Sequence, residues 1–253
     1  MIFDTHAHYD DDAFDEDRDT LLGEIFSSGI CCITDVGASV KSSKSAVALS
    51  KKWPQIYAAV GVHPDSTADM TEEDIETLRS LAQEKKVVAI GEIGLDYHYE
   101  DTDKEMQRMV FNRQLEIAEK FNKPVVVHSR DSIGETYNIL SKYNLKGSIH
   151  CFSGSLEMAK LFIKLGYKLG VGGIITFKNA KNIKEVVKNV DLSYILLETD
   201  SPYLSPEPFR GQRNEPKNIP LIAKRVSEIT NIPLSEVERV STENAYKVFP
   251  RLK

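Results

Sequence analysis

Cysteine is scarce in this chain, at Cys31, Cys32 and Cys151 only. The number is odd, Cys31 and Cys32 are adjacent inside an apolar run, and no CxxC or comparable metal spacing occurs. A disulfide framework and a thiolate metal site are excluded, and a reduced, cytoplasmic setting is expected. No basic segment followed by an apolar run opens the sequence, so a signal peptide is not expected. No apolar run approaches the roughly 18 residues that a membrane-spanning helix needs. A glycine-rich dinucleotide fingerprint is missing after the first strand-like segment. No Ser/Gly-rich linker or change of composition divides the chain, so one domain over residues 1–253 is expected. Positive charge is not in excess either. A net charge of −6 argues against a protein that coats long nucleic acids with a basic face. An enzyme that grips a few phosphates in one pocket remains compatible with it.

What is present is an alternation. With 41% hydrophobic and 28% charged residues the composition is that of a soluble globular chain, and 253 residues suffice for eight strand–helix units. The opening stretch Met1–Asp10 reads as a short strand. Strand-like runs follow at Ile30–Val36, Ile56–Val62, Val87–Ile93, Val125–His128, Gly147–Cys151, Tyr167–Val171 and Tyr194–Glu198. Helical patterns separate nearly all of them, among them Ser39–Lys52, a helix capped by Thr71, Asp103–Phe121 and Ser155–Leu165. The runs are almost continuously apolar, as in a parallel sheet covered on its outer side. An open doubly wound sheet and a closed barrel both satisfy this alternation. Eight units in this length favour an α/β fold of the (β/α)8 TIM-barrel type, followed by C-terminal helices.

The strand ends support the barrel. His6 and His8 end the first strand, two residues apart and so on one face. Glu92 ends the fourth, His128 the fifth, His150 the sixth and Asp200 the eighth. In a parallel barrel these ends share one rim, and closure sets strand eight beside strand one. Imidazole with carboxylate suits Zn, Mn, Fe or Ni, and Mg less well. Six candidate ligands exceed one four-coordinate ion and suit two divalent metal ions. His63 also faces the rim, as a substrate or supporting residue. His98 is a weaker rim-loop candidate.

Five blocks carry a resemblance. Asp4-Thr5-His6-Ala7-His8, Gly91-Glu92-Ile93-Gly94-Leu95-Asp96-Tyr97, His128-Ser129-Arg130, His150-Cys151-Phe152-Ser153-Gly154 and Glu198-Thr199-Asp200-Ser201-Pro202-Tyr203-Leu204 resemble the signature blocks of the TatD-related DNases. Arg210-Gly211 and Arg213-Asn214-Glu215-Pro216 extend the likeness. The resemblance implies a TIM-barrel metal-dependent hydrolase of the amidohydrolase superfamily. It implies that His6, His8, Glu92, His128, His150 and Asp200 bind metal, with Glu92 bridging two ions in place of a carbamylated lysine. Some members of that family act as 3′ to 5′ exonucleases on DNA, and many have no established substrate.

Asp200 is expected to orient the attacking water and accept its proton, with Glu92 as the other catalytic carboxylate. Arg130, Lys178, Arg210 and Arg213 are candidate phosphate contacts in rim loops. Tyr203 and Phe177 are candidates to stack on a base. DNA, single-stranded or as 3′ ends, is the expected substrate, with no membrane and no obligate protein partner. A hydrolase of small amides, lactones or phosphoesters is the alternative, and a non-catalytic metal-binding scaffold a further one.

Overall fold

The structure, a computed structural model, describes residues 1–27 and 29–249. Eight parallel strands lie side by side in chain order: β1 (Ile2–Ala7), β2 (Ile30–Val36), β3 (Ile56–Val60), β4 (Val87–Asp96), β5 (Val125–Arg130), β6 (Gly147–Ile149), β7 (Lys168–Val171) and β8 (Ile195–Leu197). Between them run α1 (Arg18–Ile25), α2 (Val40–Lys52), α3 (Glu72–Leu81), α4 (Lys104–Lys120), α5 (Ile133–Leu140), α6 (Leu156–Leu165) and α7 (Lys181–Asn189). After the last strand come α8 (Ile219–Thr230) and α9 (Leu234–Val248). The result is the expected TIM barrel, nearly closed. Among the described residues no helix is long and apolar enough to cross a membrane.

Local chemistry explains the element starts. Thr71 caps α3 by accepting the Asp74 N–H, while Asp74 accepts the Thr71 N–H, a reciprocal capping box. Ser39 and Ser42 do the same for α2. The interior of the barrel is filled, not hollow. Phe3, Val36, Ala59, Val88, Val126 and Leu196 pack together there, and Ala245 and Phe249 of the C-terminal segment join them. Asn244 ties α9 to the sheet by donating to the carbonyls of Leu192 and Ile195, both at 2.9 Å.

Ladders join each strand to the next from β1 to β8. The seam between β8 and β1 closes differently. The Asp200 N–H donates to the His6 carbonyl at 2.9 Å, and the His8 N–H to the Ser201 carbonyl at 2.7 Å. Below them the buried Asp4 carboxylate accepts the Thr199 N–H at 2.9 Å and the Thr199 hydroxyl at 2.6 Å. This seam is what sets the last strand end beside the first.

Several strand limits differ from those expected. β3 stops at Val60, because His63 turns out of the sheet to cap a short 3₁₀ turn at Pro64–Ser66. Tyr194 belongs to a 3₁₀ turn at Leu192–Tyr194 ahead of β8. β4 runs on to Asp96, so Glu92 lies within the strand and not at its end. There Ile90 pairs with Val125 but Ile93 with Val127, so β4 carries an extra residue around Glu92. Such a bulge re-aims a side chain. A similar shift lies between Asp4 and Ala7 in β1, at His6.

Replacing Asp4 by Ala leaves the buried Thr199 N–H and hydroxyl without their acceptor. We expect a loss of about 1–3 kcal/mol in urea unfolding. A change within about 0.5 kcal/mol would show that the seam does not depend on this carboxylate.

Candidate metal centre

The carboxylate of Glu92 is the middle of the rim. It is 3% exposed, and its two oxygens face different partners. Oε2 lies 3.5 Å from His6 Nε2 and 3.7 Å from His8 Nε2. Oε1 lies 2.9 Å from His128 Nδ1, 3.8 Å from His150 Nε2 and 4.0 Å from His63 Nε2. Asp200 Oδ1 completes the cluster at 3.6 Å from His6 Nε2 and 3.5 Å from both His8 and His150 Nε2. Residues separated by nearly the whole chain thus meet in one pocket of about 250 Å³, which also includes Asp10, Asp11, His63 and Tyr203.

The donors fit a divalent cation. His6 Nε2 and His8 Nε2 are only 3.1 Å apart. His8 Nδ1 lies 2.6 Å from the Val36 carbonyl, which accepts its N–H and turns Nε2 inward. Four donors each about 2.0–2.2 Å from one ion stand about 3.3–3.6 Å apart in a tetrahedron. Five of the six separations among His6 Nε2, His8 Nε2, Glu92 Oε2 and Asp200 Oδ1, all but that between the two carboxylates, span 3.1–3.7 Å. On the other side of Glu92, ligand atoms of His63, Glu92 and His128 all lie within 4.8 Å of one another.

Electrostatics follow from this crowding. Burial pushes the Glu92 carboxyl up, but His6, His150 and His63 outweigh it and hold it well below the usual range. Asp200 is also held low: burial raises it, and His150, His8 and His6 prevail. Burial, with His150 close by, lowers His6. His8 is drawn down by burial, yet Asp200 and Glu92 carry it up to about 9. His128 reaches about 9 through Asp96 and Glu92, against burial. His150 reaches about 10 as Glu198, Asp200 and Glu92 overcome burial. Asp200 also adopts φ +60, a left-handed conformation that costs a non-glycine residue roughly 1 kcal/mol or more. The seam bond to His6 holds it there.

A second layer of carboxylates stands behind the histidines. Glu198 Oε1 lies 2.9 Å from His150 Nδ1 and accepts the Cys151 N–H at 2.6 Å. Gly170 leaves the necessary space, since a Cβ there would sit 2.3 Å from Glu198 Oε2. Asp96 Oδ2 lies 3.2 Å from His128 Nε2, and Asp65 Oδ1 2.8 Å from His63 Nδ1. Such partners orient imidazoles and raise their basicity. Sequence reasoning had not singled out Glu198 or Asp96. Both lie two or four residues from a named carboxylate, inside the sequence blocks quoted above.

The remaining candidates are spread along the rim. Arg130 lines an adjoining cavity of about 590 Å³ with His98, whose Nδ1 is 3.0 Å from Asp131. Phe177, Lys178 and Arg210 line a smaller one of about 290 Å³. Tyr203 stands with its ring 6.0 Å from that of His8. Phe177, a candidate for stacking, carries the Arg210 guanidinium 4.4 Å from the centre of its ring. Arg213 is placed otherwise than expected. Its guanidinium grips both oxygens of Asp17, at 2.8 and 2.6 Å, and reaches Glu215 at 3.0 Å. It braces the chain after β8 against the segment before α1, because a planar guanidinium and a carboxylate match in two parallel bonds.

Comparison with known proteins identifies the family. The family model described as "TatD related DNase" matches residues 3–250. YabD of Bacillus subtilis, named an uncharacterized metal-dependent hydrolase, is 39% identical over 252 residues, covering 98% of this chain and 99% of its own. The crystal structure of YjjV, a TatD homolog from Escherichia coli, superposes with a TM-score of 0.94 at 31% identity, over 99% of this chain and 98% of that one. A TatD-family hydrolase from Entamoeba histolytica superposes with a TM-score of 0.89 at 26% identity, over 98% of each chain. The chain belongs to the family of TatD-related DNases.

Proposed function

We propose that the chain is a divalent-metal-dependent hydrolase that cleaves phosphodiester bonds, acting on DNA from its 3′ end. The observation that carries this reading is the division of the Glu92 carboxylate, one oxygen toward His6 and His8 and the other toward His128, His150 and His63. In this reading His6, His8, Glu92 and Asp200 hold one ion, and Glu92 with His128 and His150 holds a second. The nitrogen and oxygen donors suit Zn, Mn, Fe or Ni, and Mg less well. Family membership and the metal-dependent hydrolase names of YabD and YjjV support it.

When bound, the metal supplies Lewis acidity that polarises the phosphoryl group and makes a water acidic near neutral pH. The protein does the rest. Asp200, kept ionised by His150 and His8, orients the attacking water and accepts its proton. Glu198 fixes the His150 ring and Val36 the His8 ring, so neither imidazole swings away as charge shifts. Arg130, Lys178 and Arg210 sit in the two cavities beside the pocket, where they offset phosphate charge.

Asp200→Asn keeps the shape of the side chain but removes the base. We expect hydrolysis of 3′-labelled single-stranded DNA to fall by roughly 100-fold or more, with the unfolding midpoint nearly unchanged. Turnover close to that of the wild type would exclude Asp200 as the proton acceptor.

Metal binding should depend on pH. His8, His128 and His150, at about 9, 9 and 10, are protonated at pH 7 in the metal-free protein and must give up those protons to become ligands. Affinity for Zn or Mn therefore rises as pH increases from 7 toward 10. Calorimetry in buffers of different ionisation enthalpy should show net proton release at pH 7. Affinity independent of pH over this interval, with no proton release, would mean that these imidazoles are not the ligands.

A further inference from the structure

The pocket above Glu92 opens in two directions, and the two differ in charge. In one direction it shares His128, His150 and Asp200 with the cavity of about 590 Å³, and Ile174 joins that cavity to the smaller one. Two guanidiniums there lie against aromatic rings, Arg130 at 5.8 Å from the centre of Tyr99 and Arg210 at 4.4 Å from that of Phe177. Lys178 adds a third cation. The anions on this side are Asp131, paired with His98, Glu207, and Asp96, which lies 3.2 Å from His128 Nε2 and 4.0 Å from Arg130 Nη1.

In the other direction the pocket shares Asp10, Asp11 and Ser42 with a cavity of about 560 Å³, where Asp12 and Asp15 add to the acidic wall. Two of its three cations are engaged. Arg18 bonds Asp15 at 2.6 Å and the Asp11 carbonyl at 2.9 Å, and Lys52 bonds Asp19 at 2.5 Å; the third is Lys41. At this end the Tyr203 hydroxyl donates to Asp11 Oδ2 at 2.7 Å, linking the loop after β8 to the loop after β1. Burial and the neighbouring Asp11 hold the phenol above its usual pKa, so it remains a donor.

A nucleic-acid strand carries a negative charge at every phosphate. It is attracted where cations alternate with aromatic faces and repelled by unpaired carboxylates. The pocket between the two sides, about 250 Å³, carries Glu92 in its wall and has Tyr203 and Asp11 together at its acidic end. We infer that the rim is a one-sided groove and that the Tyr203–Asp11 hydrogen bond is its end-stop. The strand lies along the Arg130 and Arg210 side, its terminal nucleotide passes Glu92 and stops against Tyr203 and Asp11, and each cut releases a single nucleotide. This inference rests on the phosphodiesterase reading above. Tyr203 and Asp11 act in it as specificity determinants, through the length of product that fits.

Product length tests it. Metal-loaded wild type, Tyr203→Phe and Tyr203→Ala are compared on 5′-labelled single-stranded DNA and on circular single-stranded DNA. Half of the Tyr203 side chain is already exposed, so both variants should fold, and their unfolding midpoints check this. Wild type should release mononucleotides and spare the circle. Losing a hydrogen bond to a charged acceptor should raise the ratio of dinucleotide to mononucleotide product roughly tenfold in Tyr203→Phe. Tyr203→Ala, which also removes the ring, should nick the circle. Mononucleotide release from both variants, with the circle still intact, overturns the end-stop while the phosphodiesterase reading stands. Wild-type cleavage of the circle also overturns it. A wild type that cleaves neither DNA overturns the phosphodiesterase reading and the end-stop with it.

Discussion

Everything at the rim depends on one buried carboxylate being shared. An ionised Glu92 inside a protein is stable only where compensating groups surround it. Those groups are imidazoles delivered by β1, β5, the turn after β6 and the turn after β3. His128, His150, His63 and His8 are in turn steadied by Asp96, Glu198, Asp65 and the Val36 carbonyl. The cluster therefore alternates in charge from the centre outward. Any cation placed there meets donors already oriented, and this keeps the reorganisation on binding small.

The barrel supplies that arrangement at places where it is least regular. The extra residue in β4 turns the Glu92 side chain toward the pocket, and the shift in β1 falls at His6. Gly94 follows with φ +147, where a Cβ would lie 2.0 Å from the His128 carbonyl oxygen. Only a glycine lets β4 lie that close to β5 and bring His128 within reach of Glu92. Asp200, left-handed and tied to His6 across the seam, does for β8 what the bulges do for β1 and β4. Regular ladders would have carried the same side chains past one another.

Beyond the ligand cluster, the rim is asymmetric, and pairing decides which charges count. Arg213 has the composition of a phosphate contact but is consumed by Asp17 and Glu215. Arg210 lies on the Phe177 ring and Arg130 on that of Tyr99, the latter with Asp96 4.0 Å from its Nη1; a cation–π contact does not itself use the guanidinium hydrogen bonds. The net charge of −6 says little about such a site, because most acidic residues are elsewhere on the surface.

By itself the sequence determined the alternation of strands and helices, the Thr71 cap of α3, and the six polar residues near strand ends. All of these are local: period, cap and turn chemistry act over a few neighbouring residues. It also contained the reason for closure, since Asp200 could meet His6 and His8 only if β8 lies beside β1. Only the tertiary structure decided how far β4 runs, which way Glu92 points, and that Glu198 and Asp96 stand behind histidines. It alone assigned Arg213 to Asp17 and Tyr203 to Asp11. These outcomes depend on bulges, glycine clearances and ion pairs between residues up to nearly 200 positions apart, and no local pattern encodes a partner at that distance.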